Sequence, residues 1–272
     1  MDYIEVSVTT AEKEIMDILV AELATIGFEG FENDETFLKA YINSGLFEEE
    51  ALNDVLTNYN VTAQICTIQQ QNWNAEWESN FQPVTVEGFC TIRADFHEPD
   101  SRVEHDIIIT PKMSFGTGHH ATTQLMILQM KDMDFAGKDV LDFGTGTGVL
   151  AILAKRLGAA ETMAIDTDEW SYGNTLENIE RNGIAGIVVK KGSLEVVAGA
   201  RYDIILANIN RHILLQYMNE MQEMLNDGGM ILMSGILDED RSIIVQQGEM
   251  SGLKEVSQMI QENWISVLFA KQ

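Results

Sequence analysis

Basic residues are scarce in this chain: 17 Lys and Arg stand against 43 Asp and Glu over 272 residues, a formal net charge of −26. A protein that grips nucleic acid without regard to sequence needs a basic footprint to neutralise phosphates, so direct nucleic-acid binding is not expected. The same charge suits a basic protein partner, although an acidic surface also serves simple solvation. Cysteine is scarcer still. Cys66 and Cys90 are too few and too unpatterned for a disulfide framework or a cysteine zinc site. No run approaches the roughly 18 consecutive apolar residues of a membrane span, and the acidic start MDYIEV lacks the basic-then-apolar order of a secretion signal. The expectation is a soluble, reduced, cytoplasmic protein, monomeric and without metal. Its 45% apolar content is enough for a full core, and its length allows a standard domain plus a small one.

What is present is a legible alternation. YIEVSV (3–8) has strand periodicity, Thr9 with Glu12 fits a capping box, and Ile15, Ile18, Leu19, Leu23 and Ile26 then recur at helical spacing before Gly27. Short strands follow near 28–32 and 36–42, then a helix near 47–58 and the strand VTAQICTI (61–68). The order β-α-β-β-α-β predicts a ferredoxin-like domain over 1–68. Residues 1–60 hold 14 Asp and Glu but only Lys13 and Lys39, a charge of −12 by count, and no catalytic constellation. This segment reads as a binding module.

QQQNWNAEWESNFQPV (69–84) is polar, with Trp73, Trp77 and Phe81 at four-residue spacing. It predicts a linker and a short helix leading into the second domain, with the tryptophans as packing anchors. From 85 to 272, strands are expected near 89–94, 106–110, 139–143, 161–165, 186–190, 203–208, 230–234, 253–259 and 263–270. Helices are expected near 119–131, 148–157, 168–181, 211–225 and 238–248. Strands alternating with helices imply a mostly parallel sheet covered on both faces. The last two strands have no helix between them and should pair as an antiparallel edge hairpin.

Two glycine-rich turns carry the chemistry. In VLDFGTGTGVLAILAKRLG (140–158) a strand runs through Gly144, Gly146 and Gly148 into an apolar helix. Glycine is needed where the backbone turns sharply and a ligand must approach it. The dinucleotide fingerprint G-x-G-x-x-G is not met, since the third glycine is at 148. G-x-G-x-G with Asp142 two residues ahead resembles motif I of class I S-adenosylmethionine methyltransferases. The next strand ends in Asp166, suited to accept hydrogen bonds from both ribose hydroxyls; Asp166 or Asp168 also suits a helix cap, which is left to Asp168. Gly192-Ser193-Leu194-Glu195 follows the third strand, where that superfamily contacts adenine. The fourth strand, YDIILAN, ends in Asn208-Ile209-Asn210, without the proline and stacking aromatic that base-methylating enzymes carry at this tip.

The other turn is MSFGTGHHATT (113–123). Adjacent His119 and His120 point apart along the chain and make a poor metal site, and no G-x-S-x-G elbow is present. An ordinary strand-to-helix loop and a second wall of the cofactor site both remain open. Upstream SFGTGHHATT, then DFGTGTG, AID and ANI, a tryptophan-bearing linker and the C-terminal ENWISVLFAK together resemble the PrmA family, the methyltransferases of ribosomal protein L-eleven (L11). The resemblance implies a Rossmann-like class I methyltransferase domain, α/β with a seven-stranded, mostly parallel sheet, beside the small α+β domain. It implies transfer of methyl groups from S-adenosyl-L-methionine, leaving S-adenosyl-L-homocysteine, to lysine side-chain amines and the N-terminal amine of L11. Substrate recognition would fall to the small domain. Carried over by position, the cofactor contacts are Thr123, Gly144, Asp166 and Asn208, with Phe115 and Gly116 closing over the ligand and Asp142 and Gly146 supplied by motif I. Asn208 would orient the incoming amine, with no dedicated general base. Methylation of another protein or a small molecule is the competing activity, and an idle cofactor-binding module or a nicotinamide oxidoreductase the competing class.

Overall fold

The computed structural model describes residues 3–10, 13–34, 36–68, 81–112 and 114–272. Glu12 of the expected capping box and residues 69–80 of the linker and helix expected over 69–84, with Trp73 and Trp77, lie outside them, while 81–83 are irregular and Val84 opens a strand. The chain forms two compact units, Met1–Asn80 and Phe81–Gln272, so the second begins four residues ahead of the expected 85.

The first unit runs β1 (Tyr3–Thr9), α1 (Lys13–Thr25), β2 (Gly30–Asn33), β3 (Phe37–Asn43), α2 (Glu49–Asn58) and β4 (Ala63–Ile68). Its four strands pair antiparallel in the order β2-β3-β1-β4, the split β-α-β arrangement expected. Strand alternation sorts the faces. Ile4, Val6, Val8, Leu38, Ala40 and Ile42 point to a core filled by Leu19 and Leu23 of α1 and Leu52, Val55 and Leu56 of α2. Each Val, Leu or Ile side chain removed from water there contributes about 1.5–3 kcal/mol before chain entropy is subtracted. The opposite face is polar: Lys39 pairs with Glu5 at 3.3 Å, and the Tyr3 hydroxyl donates to Glu29 at 2.7 Å. The second helix starts at Glu49 rather than 47, because Ser44–Leu46 form a 3₁₀ turn whose Gly45 N–H is held by the Asn43 side chain.

The second unit opens with β5 (Val84–Val86), β6 (Cys90–Arg93) and β7 (His105–Ile108). These form a three-stranded sheet of their own, so the strands expected near 89–94 and 106–110 do not join the main sheet. All four residues of β6 are buried between its two partners and the core. Then follow α3 (Ala121–Lys131), β8 (Asp139–Phe143), α4 (Val149–Arg156), β9 (Glu161–Asp166), α5 (Glu169–Arg181), β10 (Ile187–Lys191), β11 (Tyr202–Asn208), α6 (Arg211–Glu223), β12 (Leu225–Leu237), α7 (Arg241–Met250), β13 (Leu253–Gln261) and β14 (Trp264–Lys271). Seven strands make one sheet in the order β10-β9-β8-β11-β12-β14-β13. The first five run parallel, β14 adds antiparallel to β12, and β13 pairs antiparallel with β14 at the edge. Strand β12 is longer than the expected 230–234 and carries a register shift between Met233 and Ile236, and a 3₁₀ turn over 238–240 delays the last helix to 241.

Both faces of this sheet are covered, which is why its strands read as continuous apolar runs. Val140, Ile204, Leu206 and Leu232 face α3 and α4, while Leu141, Ile205, Ala207, Ile231 and Met233 face α6 and α7. Among the described residues no helix is long and apolar enough to cross a membrane.

Candidate active site

The parallel strands all end on one side, and their order reverses at β8: β9 and β10 lie to one side of it, β11 and β12 to the other. In such sheets a crevice opens outside the carboxyl ends at the reversal. A cavity of about 570 Å³ lies there, lined by Phe143, Gly144 and Gly146 after β8, Asp166 and Thr167 after β9, Ser193 after β10, and Asn208, Ile209 and Asn210 after β11.

The turn after β8 is shaped by its own neighbours. Gly144 has φ 78° and Gly146 φ 56°. A Cβ on Gly144 would stand 2.2 Å from Ile209 Cγ2, and one on Gly146 would stand 2.3 Å from the Phe115 carbonyl oxygen. Neither position admits a side chain, so the backbone itself forms the floor of the crevice. The turn is pinned from two directions. The Gly144 and Thr145 N–H groups donate to Ile165 O at 2.9 and 3.0 Å, and the Thr147 N–H donates to Phe115 O at 2.9 Å.

Asp166 closes one end. Its Oδ2 accepts from Gly146 N–H and its Oδ1 from Asp168 N–H, each at 3.0 Å. Each carboxylate oxygen has two lone pairs, so both keep acceptor capacity toward the cavity. Asp168 is the cap of α5, its Oδ2 accepting from Ser171 N–H at 2.8 Å. At the far end, Asn208 lines the cavity with its Oδ1 buried and without a partner, while its Nδ2 makes only a 3.5 Å contact to Thr123 Oγ1.

An aromatic rim surrounds this floor. Phe115, half exposed, meets the His120 ring at 5.3 Å between centroids, and His120 meets Trp264 at 4.8 Å, both edge-to-face. Tyr217 of α6 packs edge-on against Phe143 at 5.6 Å. His120 is also the cap of α3: its Nδ1 accepts from Thr122 N–H at 3.3 Å and contacts the Thr122 hydroxyl at 2.8 Å. His119 turns away to Phe81 and Thr117. Among the described residues no three His, Cys, Asp or Glu side chains gather to hold a metal.

Of the residues singled out from the sequence, Phe115, Gly144, Gly146, Asp166 and Asn208 come together on the cavity wall. Three others stand behind it. Thr123 is fully buried, and Thr122, one position earlier on α3, lines the cavity instead. Gly116 carries its carbonyl to the Thr147 hydroxyl at 2.7 Å. Asp142 lies beneath the turn, its Oδ2 accepting from Thr145 Oγ1 at 2.7 Å and Ala151 N–H at 3.2 Å. Burial pushes its carboxyl up to about 7, opposed by those two hydrogen bonds and reinforced by Asp166. His120, Thr122, Tyr217 and Trp264 went unforeseen as wall residues; the cap position of His120, directly ahead of the apolar run of α3, was the one local signal available.

Comparison with known proteins bears on what this cavity holds. The profile of the family described as ribosomal protein L11 methyltransferase (PrmA) matches residues 5–272. The chain is similar to the ribosomal protein L11 methyltransferase of Porphyromonas gingivalis, 43% identical over 93% of this chain and 90% of that one. It is also similar to that of Bacteroides fragilis, 38% identical over 99% of both. Among solved structures, the ribosomal protein L11 methylase of Lactobacillus delbrueckii subsp. bulgaricus superposes with a TM-score of 0.65 at 29% identity, covering 71% of this chain and all of that one.

Proposed function

This chain belongs to the ribosomal protein L11 methyltransferase family, and on that footing we propose that it transfers methyl groups from S-adenosylmethionine to amines of ribosomal protein L11, on lysine side chains and at the N-terminus. The observation that carries the reading is the meeting of three features in one crevice: a side-chain-free glycine turn, a carboxylate with spare acceptor capacity, and the under-satisfied carboxamide of Asn208. These residues fit that cofactor. Asp166 suits the two ribose hydroxyls, and Gly144 and Gly146 let the main chain come close to the amino-acid portion. The cofactor supplies an electrophilic methyl group on a sulfonium.

The remaining work is positional. Holding a nucleophile in line with a reacting centre lowers the barrier by several kcal/mol and up to about 7–11 in the best cases. An ammonium, with an ordinary pKa of about 10.4, has no lone pair to offer, and an apolar surround favours the neutral amine. Phe115, Tyr217 and Trp264 supply such a surround at the mouth. A buried acceptor without a partner demands one, and Asn208 Oδ1 suits an amine N–H, which would aim the lone pair without a fixed charge. An amide tolerates the successive proton losses of repeated methylation better than a carboxylate, which would hold the ammonium form.

The small unit suits recognition of a lysine-rich partner. Its polar sheet face carries Glu5 and Glu32, with Glu29 beside them, against Lys39, and complementary charge raises encounter rate and fixes orientation.

Purified L11 incubated with the chain and methyl-labelled S-adenosylmethionine tests the whole reading. Label is expected in L11, with Asn208→Ala lowering kcat at least tenfold (about 1.4 kcal/mol, the scale of one lost hydrogen bond to the reacting group) while the cofactor still binds. Cofactor binding with no label in L11 would point to another acceptor. Absence of cofactor binding would end the reading.

A further inference from the structure

Strand β7 is the edge of its three-stranded sheet, and the chain that leaves it runs on to Phe115 at the cavity mouth. Backbone groups along an exposed strand edge need partners. Here they are met by a helix. Asn174, Asn178 and Asn182 recur every four residues on α5 and at its C-cap, and so share one face. The Ile108 N–H donates to Asn182 Oδ1 at 3.0 Å, and the Ile108 carbonyl accepts from Asn182 Nδ2 at 2.6 Å. Two residues on, the Thr110 N–H donates to Asn178 Oδ1 at 2.7 Å, and its carbonyl accepts from Asn174 Nδ2 at 3.2 Å. A helix has committed its own backbone groups internally. A side-chain amide carries both a donor and an acceptor and takes the place of a neighbouring strand.

Asn178 does more than its neighbours. It is fully buried, and its Nδ2 donates both to the Thr147 carbonyl at 2.8 Å and to Asn174 Oδ1 at 2.6 Å. Thr147 belongs to the glycine turn and reaches back to the same strap: its N–H donates to Phe115 O and its hydroxyl to Gly116 O. The strap is thus fastened to the turn at Thr110, through Asn178, and at Phe115 and Gly116, through Thr147.

We propose that Asn178 is a positioning residue for the cavity: its carboxamide sets the register between strap residues 108–112 and the glycine turn, and so, with the bonds Thr147 makes to Phe115 and Gly116, holds Phe115 on the wall. What the wall encloses rests on the cofactor reading above. Asn182 makes the same kind of strap contact without touching the turn, and provides the contrast a purely structural role would not.

The test uses the full chain as wild type, Asn178→Asp and Asn182→Ala, with S-adenosylmethionine titrated calorimetrically and backbone hydrogen exchange followed without ligand. Asn178→Asp keeps an acceptor for Thr110 but sets an oxygen against the Thr147 carbonyl. It is expected to weaken cofactor binding by roughly tenfold or more, the effect of one unsatisfied buried group, and to speed exchange at the Thr147 amide. Asn182→Ala is expected to lower the melting temperature while binding stays within about twofold and the Thr147 amide stays protected, because Asn182 bonds the strap and the Asn178 carbonyl but makes no bond to the turn. Unchanged binding in Asn178→Asp, or equal weakening in Asn182→Ala, overturns the proposal. Should Asn178→Asp fail to fold, Asn178→Ala removes the same bridge without setting an oxygen against the Thr147 carbonyl, and unaltered binding and exchange there overturn it equally. If the wild type binds no S-adenosylmethionine, the cofactor reading falls; the exchange arm then decides the strap on its own, and an equally protected Thr147 amide in Asn178→Asp overturns it.

Discussion

Asp142 sits under the glycine turn with Oδ2 accepting two hydrogen bonds and Oδ1 buried without a partner. Its carboxyl, pushed up to about 7 by burial, is protonated in the folded chain at pH values where the unfolded chain has already ionised it. Between the ordinary carboxylate value of about 4 and pH 7 the native state therefore binds more protons than the unfolded one, and stability falls as pH rises. The contribution is fully present below that ordinary value and lost by the time pH passes 7. Asp142→Asn removes this slope, because the amide oxygen accepts the same two hydrogen bonds without a charge. Melting temperatures of the variant and the wild type are expected to diverge in the variant's favour from pH 4 to 7 and to run parallel above it; parallel curves throughout would refute the assignment. Motif position put this residue among the cofactor contacts, whereas it ends up in β8 beneath the turn, off the cavity wall. That depends on Thr145 and Ala151 folding back over it. Thr123 illustrates the same limit. One residue of helical phase, about 100° of rotation, exchanges a wall residue for a core residue, and only the packing of α3 fixes that phase.

At the scale of elements, helix α3 is fastened to the terminal hairpin by polar side chains in an otherwise apolar interface. Gln129 Nε2 donates to Ser266 Oγ at 2.7 Å, its Oε1 accepts from Ser257 Oγ at 2.9 Å, and Gln261 Nε2 donates to Gln124 Oε1 at 2.8 Å. These pairs span β13 and β14, whose connection leads into Trp264 on the cavity rim. Gln129→Leu strands two hydroxyls and is expected to lower unfolding free energy by about 1–3 kcal/mol. Adding Ser266→Ala should recover part of that loss, so the double variant falls short of the sum of the singles in a urea-denaturation cycle. Strict additivity would mean the contact is energetically idle. Helical and strand periodicity gave both elements nearly to the residue, yet contains no term for which glutamine meets which serine across more than a hundred positions.

The whole molecule carries its charge unevenly, with −12 on the first 60 residues by count. If that unit steers a basic substrate, the attraction acts over a Debye length of about 8 Å at physiological salt and shrinks as salt is added. Methylation of L11 is expected to show kcat/KM falling steadily with sodium chloride while kcat at saturating substrate holds nearly constant, since steering governs encounter rather than chemistry. A salt-independent kcat/KM would remove electrostatic recognition from the account.

The sequence by itself determined what depends on neighbours along the chain. Period-two and period-3.6 patterning set the elements, their alternation set a parallel sheet with an antiparallel hairpin, and the glycine spacing with a carboxylate at the tip of β9 set the floor of the cavity. Tertiary structure decided what depends on neighbours in space. It drew β6 and β7 into a separate sheet, since an apolar strand pattern names no partner. It built the rim from Phe115, His120, Tyr217 and Trp264, which lie up to 149 positions apart. It also turned two asparagines of α5 and the one at its C-cap into a substitute strand. Periodicity reports which face of an element is buried; the identity of what buries it is fixed only when the elements close on one another.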